Sequence, residues 1–326
     1  MPNPADAPSP RLDHRPRLAD LKPLGRDQPA RAEAVAAERG ALERAARPRV
    51  SPPEHFEGRE GFDSDHLAGF AVELPAPRGA RTRDVLPVGG DPSGRLDYQH
   101  FSVVMSGSRR IAMFVAVNIE GRRSVSIVRD DDKWFLDGRI PIEAQAGEEL
   151  YARNRLDRGH LVRREDPNWG DEAEVANADT FHFTNCAPQM DVVNQRTWLG
   201  LENYILQNAR AWRERCSVFT GPVFGRDDLV YRGVRIPKAF WKVVAFLSDD
   251  GRPSATAYMV KQEEELGGLE AAFGAYKTYQ RSVRQIEELT GLSFGRLADY
   301  DGFSNEEVEN EVVIASELRS LGDIRL

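Results

Sequence analysis

The chain has 326 residues, 40% of them hydrophobic, which is enough for one large domain or two small ones with a buried core. Its formal net charge of −8 disfavours strong non-specific binding to nucleic acids. No apolar run reaches the roughly 18 residues of a membrane span, and the first residues lack the pattern of a secretory signal. We therefore expect a cytoplasmic protein with no membrane partner. The two cysteines, Cys186 and Cys216, cannot supply a disulfide framework, although one bridge between them stays open.

Residues 1–55 are rich in proline, alanine and arginine and contain almost no aromatic residues. Such a composition cannot bury enough apolar surface to build a core, so it predicts a flexible arm. The arm is either a disordered extension or a docking segment for a regulatory partner. We expect the globular domain to occupy residues 56–326.

Runs of β-branched and aromatic residues predict the strands of the domain. These runs are 101–105, 112–119, 124–129, 218–224, 240–246 and 255–260. Arg109 and Arg110 separate the first two runs and predict a hairpin turn between them.

Three longer segments predict helices, at 193–215, 275–291 and 305–318. The third begins with Ser304 and Glu307 at the spacing of a capping box. Strands grouped in this way with long helices predict an α+β fold, with a mainly antiparallel central sheet flanked by helices. The sequence contains no internal repeat, Walker loop or dinucleotide-binding fingerprint.

The tetrapeptide Asp157-Arg158-Gly159-His160 places a proton acceptor beside a permanent cation. A neutral histidine can accept a proton from water near pH 7, because its reference pKa is about 6.5. Arg158 offers a planar set of donors to phosphate oxygens. Gly159 permits either a close backbone approach or a positive φ. Asp157 is expected to pair with a cation or to hold the loop.

No group of histidines and cysteines has the spacing of a zinc site. Mg²⁺ retains several waters and takes few protein ligands, which suits a single amide oxygen from Asn194. Glu202 lies eight residues further on, about two turns of the predicted helix, so both side chains share one face. Glu202 would then hold a metal-bound water. We expect a Mg²⁺ site, with Mn²⁺ as a substitute.

Taken together, these motifs resemble those of the DNA/RNA non-specific endonuclease family, the ββα-metal or His-Me finger nucleases. The resemblance covers about residues 56–326. It rests on the tetrapeptide 157–160, on Thr184-Asn185 followed by Pro188-Gln189, and on Asn194 with Trp198 and Glu202.

The resemblance implies a role for each of these residues. His160 would be the general base, Arg158 would lie near the transition state, Asn194 would bind Mg²⁺ directly and Glu202 would bind it through water. Cleavage would leave 5′-phosphate ends. The family also has an arginine upstream of the tetrapeptide, for which Arg129 and Arg139 are the candidates; Arg139 is the one we expect to bind substrate.

Several neighbouring residues allow a structural interpretation as well as a functional one. Asn185 and Gln189 either line the site and bind substrate or only fix the loop. His100 and His182 are expected to be core residues, and Cys186 is expected to pack rather than react. Trp198 and Trp241 could stack on bases, but core packing is the better interpretation.

We therefore expect a Mg²⁺-dependent endonuclease that hydrolyses phosphodiester bonds of DNA with little sequence specificity; whether RNA is also a substrate stays open. The alternative is a catalytically silent or arm-gated effector or binding protein with the same fold. A homodimer remains open. Residues 196–238 contain eight basic and four acidic side chains, so the negative charge is not spread evenly over the chain.

Overall fold

The computed structural model of the chain describes residues 12–18, 48–128, 133–190, 205, 214–248, 250–262, 277–318 and 323–325. Within these ranges no helix has the length and apolar character needed to cross a membrane. The two cysteines are free and buried, which excludes a bridge between them.

One large antiparallel sheet of eight strands organises the molecule, in the order β16-β14-β13-β12-β9-β5-β4-β3. The strands are β1 Val50–Ser51, β2 Ala76–Pro77, β3 Arg95–Tyr98, β4 Phe101–Met105, β5 Ala112–Glu120, β6 Leu136–Asp137, β7 Leu156–His160, β8 Cys186–Met190, β9 Arg215–Val223, β10 Leu229–Tyr231, β11 Val234–Ile236, β12 Ala239–Leu247, β13 Pro253–Lys261, β14 Lys277–Arg281, β15 Leu292–Ser293 and β16 Ser316–Leu318. The strands outside the large sheet form two-stranded pairs, β1 with β6, β2 with β15, β7 with β8 and β10 with β11.

The central strands are buried on both faces, because helices and loops cover the sheet. All nine residues of β5 are buried, as are the first seven of β12. The predicted strands at 101–105, 112–119, 218–224, 240–246 and 255–260 are therefore confirmed, with an Arg109–Arg110 turn between the first two. The antiparallel α+β fold is confirmed as well.

The predicted strand at 124–129 is wrong for residues 124–128, and Arg129 lies outside the described residues. Ser124 forms an isolated bridge to Trp169, and the Val125 amide donates to the Asn168 carbonyl. Val128 is 91% exposed. The segment is β-branched but has no neighbouring strand to pair with, so it forms a surface loop.

Helices pack on the faces and ends of the sheet. They are α1 Ala80–Asp84, α2 Glu148–Tyr151, α3 Ala173–Asp179, α4 Val283–Thr290 and α5 Gly302–Asn310. The predicted helix at 193–215 lies almost wholly outside the described residues, and its last residue, Arg215, instead begins β9.

The two C-terminal helix predictions are only half correct. Within 275–291, residues Lys277–Arg281 form β14, and the helix starts after Ser282, whose hydroxyl accepts from the Gln285 amide. α5 begins at Gly302 rather than at 305, because Asp301 accepts from two backbone amides of its first turn. α5 ends at Asn310, and Ser316–Leu318 then pairs with β14.

Parts of the predicted arm pack against the domain. β1 pairs in parallel with β6, and the Ser51 hydroxyl lies 2.9 Å from Nε2 of His182. Residues 12–18 lie against the C-terminal elements, where Asn305 donates to the carbonyl of the buried Pro16 at 2.6 Å. The expectation of a flexible arm therefore fails for 12–18 and 48–55, because these short stretches find backbone and side-chain partners in the domain.

The two-stranded pair β7–β8 is anchored on the large sheet. The Gln262 side chain, directly after β13, accepts from the Met190 amide and donates to the Pro188 carbonyl. Lys242 of β12 is almost fully buried, and its Nζ donates to Thr220 and lies 3.5 Å from the carbonyl of Leu161. These contacts fix the tetrapeptide 157–160, which forms most of β7, above the sheet.

Candidate active site

The antiparallel ladder of β7 and β8 sets the directions of the candidate side chains. Arg158 lies opposite Pro188 and His160 opposite Cys186, while Asp157 lies opposite Gln189. Side chains alternate along a strand, so Arg158 and His160 share one face and Asp157 and Gln189 share the other. The tetrapeptide thus places the predicted base and the predicted cation side by side.

Two aromatic rings enclose the imidazole of His160. The Trp134 ring centroid lies 4.7 Å from it, and Phe181 packs edge-on at 5.1 Å. Trp134 is 8% exposed and also packs on Phe183. His160 itself remains partly exposed. Sequence reasoning missed Trp134 and Phe181, because neither lies near the tetrapeptide in the chain and no local motif marks them.

Arg158 is held by α2 and by an aromatic ring. Its Nε donates to Glu148 at 3.0 Å, a second nitrogen pairs with the other carboxylate oxygen, and the guanidinium lies over the Tyr151 ring. Burial alone would lower the pKa of Arg158, but the ion pair with Glu148 outweighs it and raises that pKa. The side chain is 34% exposed, so this charge stays accessible.

Gly159 has an extended backbone conformation and does not have a positive φ. Of the two roles expected for this glycine, the one that applies is therefore the close approach of neighbouring atoms to its backbone. A Cβ at this position would overlap the carboxamide of Gln189. Gln189 is 1% exposed, and among the described residues neither its amide oxygen nor its amide nitrogen has a hydrogen-bond partner. Its two expected roles, binding substrate or fixing the loop, both stay predictions.

Asn185 has the opposite character. It is fully buried, its carbonyl oxygen accepts from the Val162 amide, and its nitrogen donates to the carbonyls of Val162 and Thr180. These bonds secure the chain just after His160. The loop-fixing interpretation accounts for these three hydrogen bonds, and a role toward substrate stays a prediction.

Cys186 is fully buried and donates to the Tyr151 hydroxyl at 3.2 Å. Burial raises the pKa of this thiol to about 12, so it is protonated at neutral pH and packs as expected. His100, His182 and Trp241 are also buried in the core. His100 stacks on Trp169, and burial lowers the pKa of both histidines.

Arg139 makes contacts typical of a structural residue. It donates to the buried Asp137 at 2.7 Å and to the Asp97 carbonyl at 2.7 Å, and it covers the Phe56 ring at 3.7 Å. Asp137 also accepts from the Tyr98 hydroxyl. The side chain is 15% exposed, so little of it is open to a substrate. The other candidate, Arg129, lies outside the described residues.

The predicted metal ligands Asn194 and Glu202 also lie outside the described residues, as does Trp198. Among the residues that are described, no three histidine, cysteine, aspartate or glutamate side chains come together as a metal site. An amide oxygen and a carboxylate are hard oxygen donors, so the predicted pair suits Mg²⁺ by its chemistry.

Comparison with known proteins identifies relatives of this chain. The uncharacterized protein y4fB of Sinorhizobium fredii is 42% identical over 269 residues, which are 74% of this chain and 40% of that protein. A Nostoc protein named Nuclease is 28% identical over 44% of this chain and 52% of its own length. The mitochondrial Endonuclease G of Bos taurus is 27% identical over 58% of this chain and 68% of its own. This chain therefore spans about half, or less, of the first two relatives.

A crystal structure of EndoG with its inhibitor EndoGI superposes with a TM-score of 0.49 and 17% identity, covering 64% of this chain and 86% of that one. The family model of the DNA/RNA non-specific endonucleases matches residues 79–301, which include β3 to β15 and the whole tetrapeptide 157–160. The chain belongs to the DNA/RNA non-specific endonuclease family.

Proposed function

We propose that this protein is a metal-dependent endonuclease that hydrolyses phosphodiester bonds in DNA and RNA with little sequence preference. The observation that carries the proposal is the placement of His160 and Arg158 on one face of β7 in a chain of this family. His160 is partly exposed as a residue, with its Nε2 atom buried, and Arg158 is accessible, so a phosphate can reach the guanidinium at that face.

In this mechanism His160 takes a proton from the attacking water. General-base assistance of this kind contributes roughly 10²- to 10⁴-fold to the rate. Trp134 and Phe181 restrict the imidazole, so the base is oriented before the substrate arrives. Arg158 stabilises the negative charge that builds on the phosphate oxygens, and its ion pair with Glu148 orients the guanidinium.

Asn194, with Glu202 acting through water, would hold Mg²⁺, for which Mn²⁺ could substitute. When bound, the cation supplies Lewis-acid stabilisation of the charged phosphate. Replacing the amide in Asn194→Ala should weaken the apparent affinity for Mg²⁺, seen as a higher cation concentration for half-maximal activity. An unchanged Mg²⁺ dependence in this variant would remove Asn194 from the ligand set.

The test of the proposed function is digestion of plasmid DNA, single-stranded DNA and RNA by the full chain with Mg²⁺, Mn²⁺ or EDTA. We expect cleavage of these substrates with either cation and none in EDTA. His160→Ala should lose cleavage by at least 10²-fold, while His14→Ala, in the segment 12–18, serves as the matched control. Activity that persists in EDTA or in His160→Ala contradicts the proposal.

A further inference from the structure

The pair β10–β11 forms a hairpin with one buried and one exposed face. Its turn is at Arg232-Gly233, where both residues have positive φ, of 48° and 77°. Val234 and Ile236 are buried and anchor the hairpin. On the other face Val230 lies opposite Arg235, and both are exposed.

The hairpin is fixed beside the strand that carries the predicted catalytic residues. Nη1 of Arg232 donates to the carbonyls of Glu149 and Ala152 at 2.8 and 2.6 Å, at the end of α2. Asn154, just before β7, contacts the Tyr231 hydroxyl at 3.4 Å. Since α2 also pairs with Arg158 through Glu148, the hairpin, α2 and β7 form one continuous surface.

On this surface the positively charged side chains outnumber the carboxylates. Its carboxylates on α2 and around the hairpin are already paired: Glu148 with Arg158, Glu149 with Arg110, Asp227 with Lys238 and Asp228 with Arg109. Arg153 and Arg226 are exposed, and neither has a carboxylate partner among the described residues. Within the part of the chain that the structure describes, the Arg235 side chain donates to the Arg226 carbonyl and to no carboxylate.

We propose that the β10–β11 hairpin, together with Arg153 in the loop before β7, binds the phosphate backbone of a nucleic-acid duplex beside the scissile bond. Unpaired guanidinium groups bind phosphates directly, and a two-stranded ribbon has the width to follow a duplex groove. The chain as a whole carries a charge of −8, so local contacts of this kind are needed to hold a polyanion. The proposal deepens the proposed nuclease function and rests on it for the identity of the polymer.

The test measures binding separately from cleavage. In a His160→Ala background, fluorescence anisotropy with a labelled DNA duplex of about 30 base pairs gives Kd over a range of salt concentrations. Arg153→Ala/Arg226→Ala should raise Kd by about 10-fold or more near 0.1 M salt. It should also lower the slope of log Kd against log salt by about 1 to 2, because each phosphate contact contributes about 0.9.

The matched control is Arg122→Ala/Arg296→Ala, which removes the same charge elsewhere. Arg122 lies just after the end of β5. The other end of β5 is the one near the hairpin, because Arg109, in the turn before β5, pairs with Asp228, which directly precedes β10. A nine-residue strand is about 30 Å long, so Arg122 is distant from the hairpin. Arg296 lies by Asp299, near the segment 12–18. The control should change Kd less than 2-fold; equal losses in the two double variants overturn the proposal.

Measurements of cleavage distinguish a failure of the hairpin proposal from a failure of the proposed nuclease function. With His160 intact, Arg153→Ala/Arg226→Ala should raise KM for the duplex and leave turnover of bis(p-nitrophenyl) phosphate, a diester too small to reach the hairpin, unchanged. Parallel loss on both substrates overturns the proposal. If the intact chain binds duplex through these arginines but cleaves nothing, the hairpin proposal stands and the proposed nuclease activity fails.

Discussion

Replacing Trp134 by leucine tests whether the aromatic enclosure of His160 contributes to catalysis. The indole packs on His160, Phe181 and Phe183 at centroid distances of 4.7, 5.5 and 5.6 Å. Each aromatic pair contributes about 0.5 to 1.5 kcal/mol, so the three together make about 1.5 to 4.5 kcal/mol. Displacement of a catalytic group by about 1 Å can cost 10²-fold in rate. We expect kcat to fall about 10- to 100-fold in Trp134→Leu, with KM changed less than about 3-fold.

The assay is steady-state cleavage of a short fluorogenic oligonucleotide, together with thermal unfolding of each variant. Trp134→Phe keeps a ring beside His160 and should recover most of kcat. Phe183→Leu is the control, because Phe183 packs on Trp134 and Tyr151 rather than on His160. It should lower Tm to a similar extent and keep kcat within a few-fold. If Phe183→Leu reduces kcat as much as Trp134→Leu, the orienting role of Trp134 is refuted and only general stability remains.

Urea unfolding checks three further predictions. Asn185→Ala breaks three buried hydrogen bonds and should lower the free energy of unfolding by about 2 to 4 kcal/mol. Gln189→Met removes a carboxamide that has no hydrogen-bond partner among the described residues, so it should leave that free energy within about 1 kcal/mol or raise it; the reverse order would contradict the contacts of the two side chains. Gly159→Ala should lower the free energy of unfolding by about 1 to 3 kcal/mol, because the new Cβ overlaps the Gln189 side chain. Adding Gln189→Ala removes the overlap and should restore part of that free energy; strictly additive effects of the two changes would contradict this. Burial raises the pKa of Asp301 to about 6, although hydrogen bonds from Ser304 and from the amides of Val283 and Phe303 oppose this shift. In the unfolded chain the pKa of this carboxyl is about 3.9. The folded chain therefore keeps this proton up to a higher pH than the unfolded chain does. The resulting stabilisation is present below about pH 4 and is lost as the pH rises through about 6. The stability of the wild type relative to Asp301→Asn should fall by about 2 kcal/mol from pH 4 to 7; a difference that is constant with pH contradicts the assignment.

Much of the sheet could be predicted because its central strands are continuous runs of apolar residues. The nine buried residues of β5 allow few alternatives to a strand covered on both faces. At the edge of the sheet this signal fails. β14 is polar enough to read as part of a helix, and only its pairing with β13 and β16 makes it a strand. Pairing partners that lie far apart in sequence are not visible in local composition.

Capping shows the same dependence on distant contacts. Asp301 and Ser304 both suit the N-terminus of α5, and sequence spacing favours Ser304 with Glu307. In the fold, Asp301 also accepts from the Val283 amide, and Glu307 accepts from the Ser282 hydroxyl at the start of α4. The packing of α4 against α5 therefore selects Asp301 as the cap.

For the candidate site, the tetrapeptide identified Arg158 and His160, but no strand was predicted there. Their shared face became visible only with the pairing of β7 and β8. The partners of these residues were not predictable. Trp134 and Glu148 reach the site from other parts of the chain, and neither belongs to a motif. The distinction between Asn185 and Gln189 also required the structure, because both are amides in one short segment and differ only in what surrounds them.

The docked segment 12–18 behaves as a ligand that is carried by the chain it binds. Pro16 and Leu12 accept hydrogen bonds from Asn305 and Tyr300, and Arg17 pairs with Glu309. Because the segment belongs to the same chain, it meets its docking surface at a concentration that does not depend on the amount of protein. Since ion pairs contribute to the contact, its hold on the C-terminal elements should weaken as the salt concentration rises.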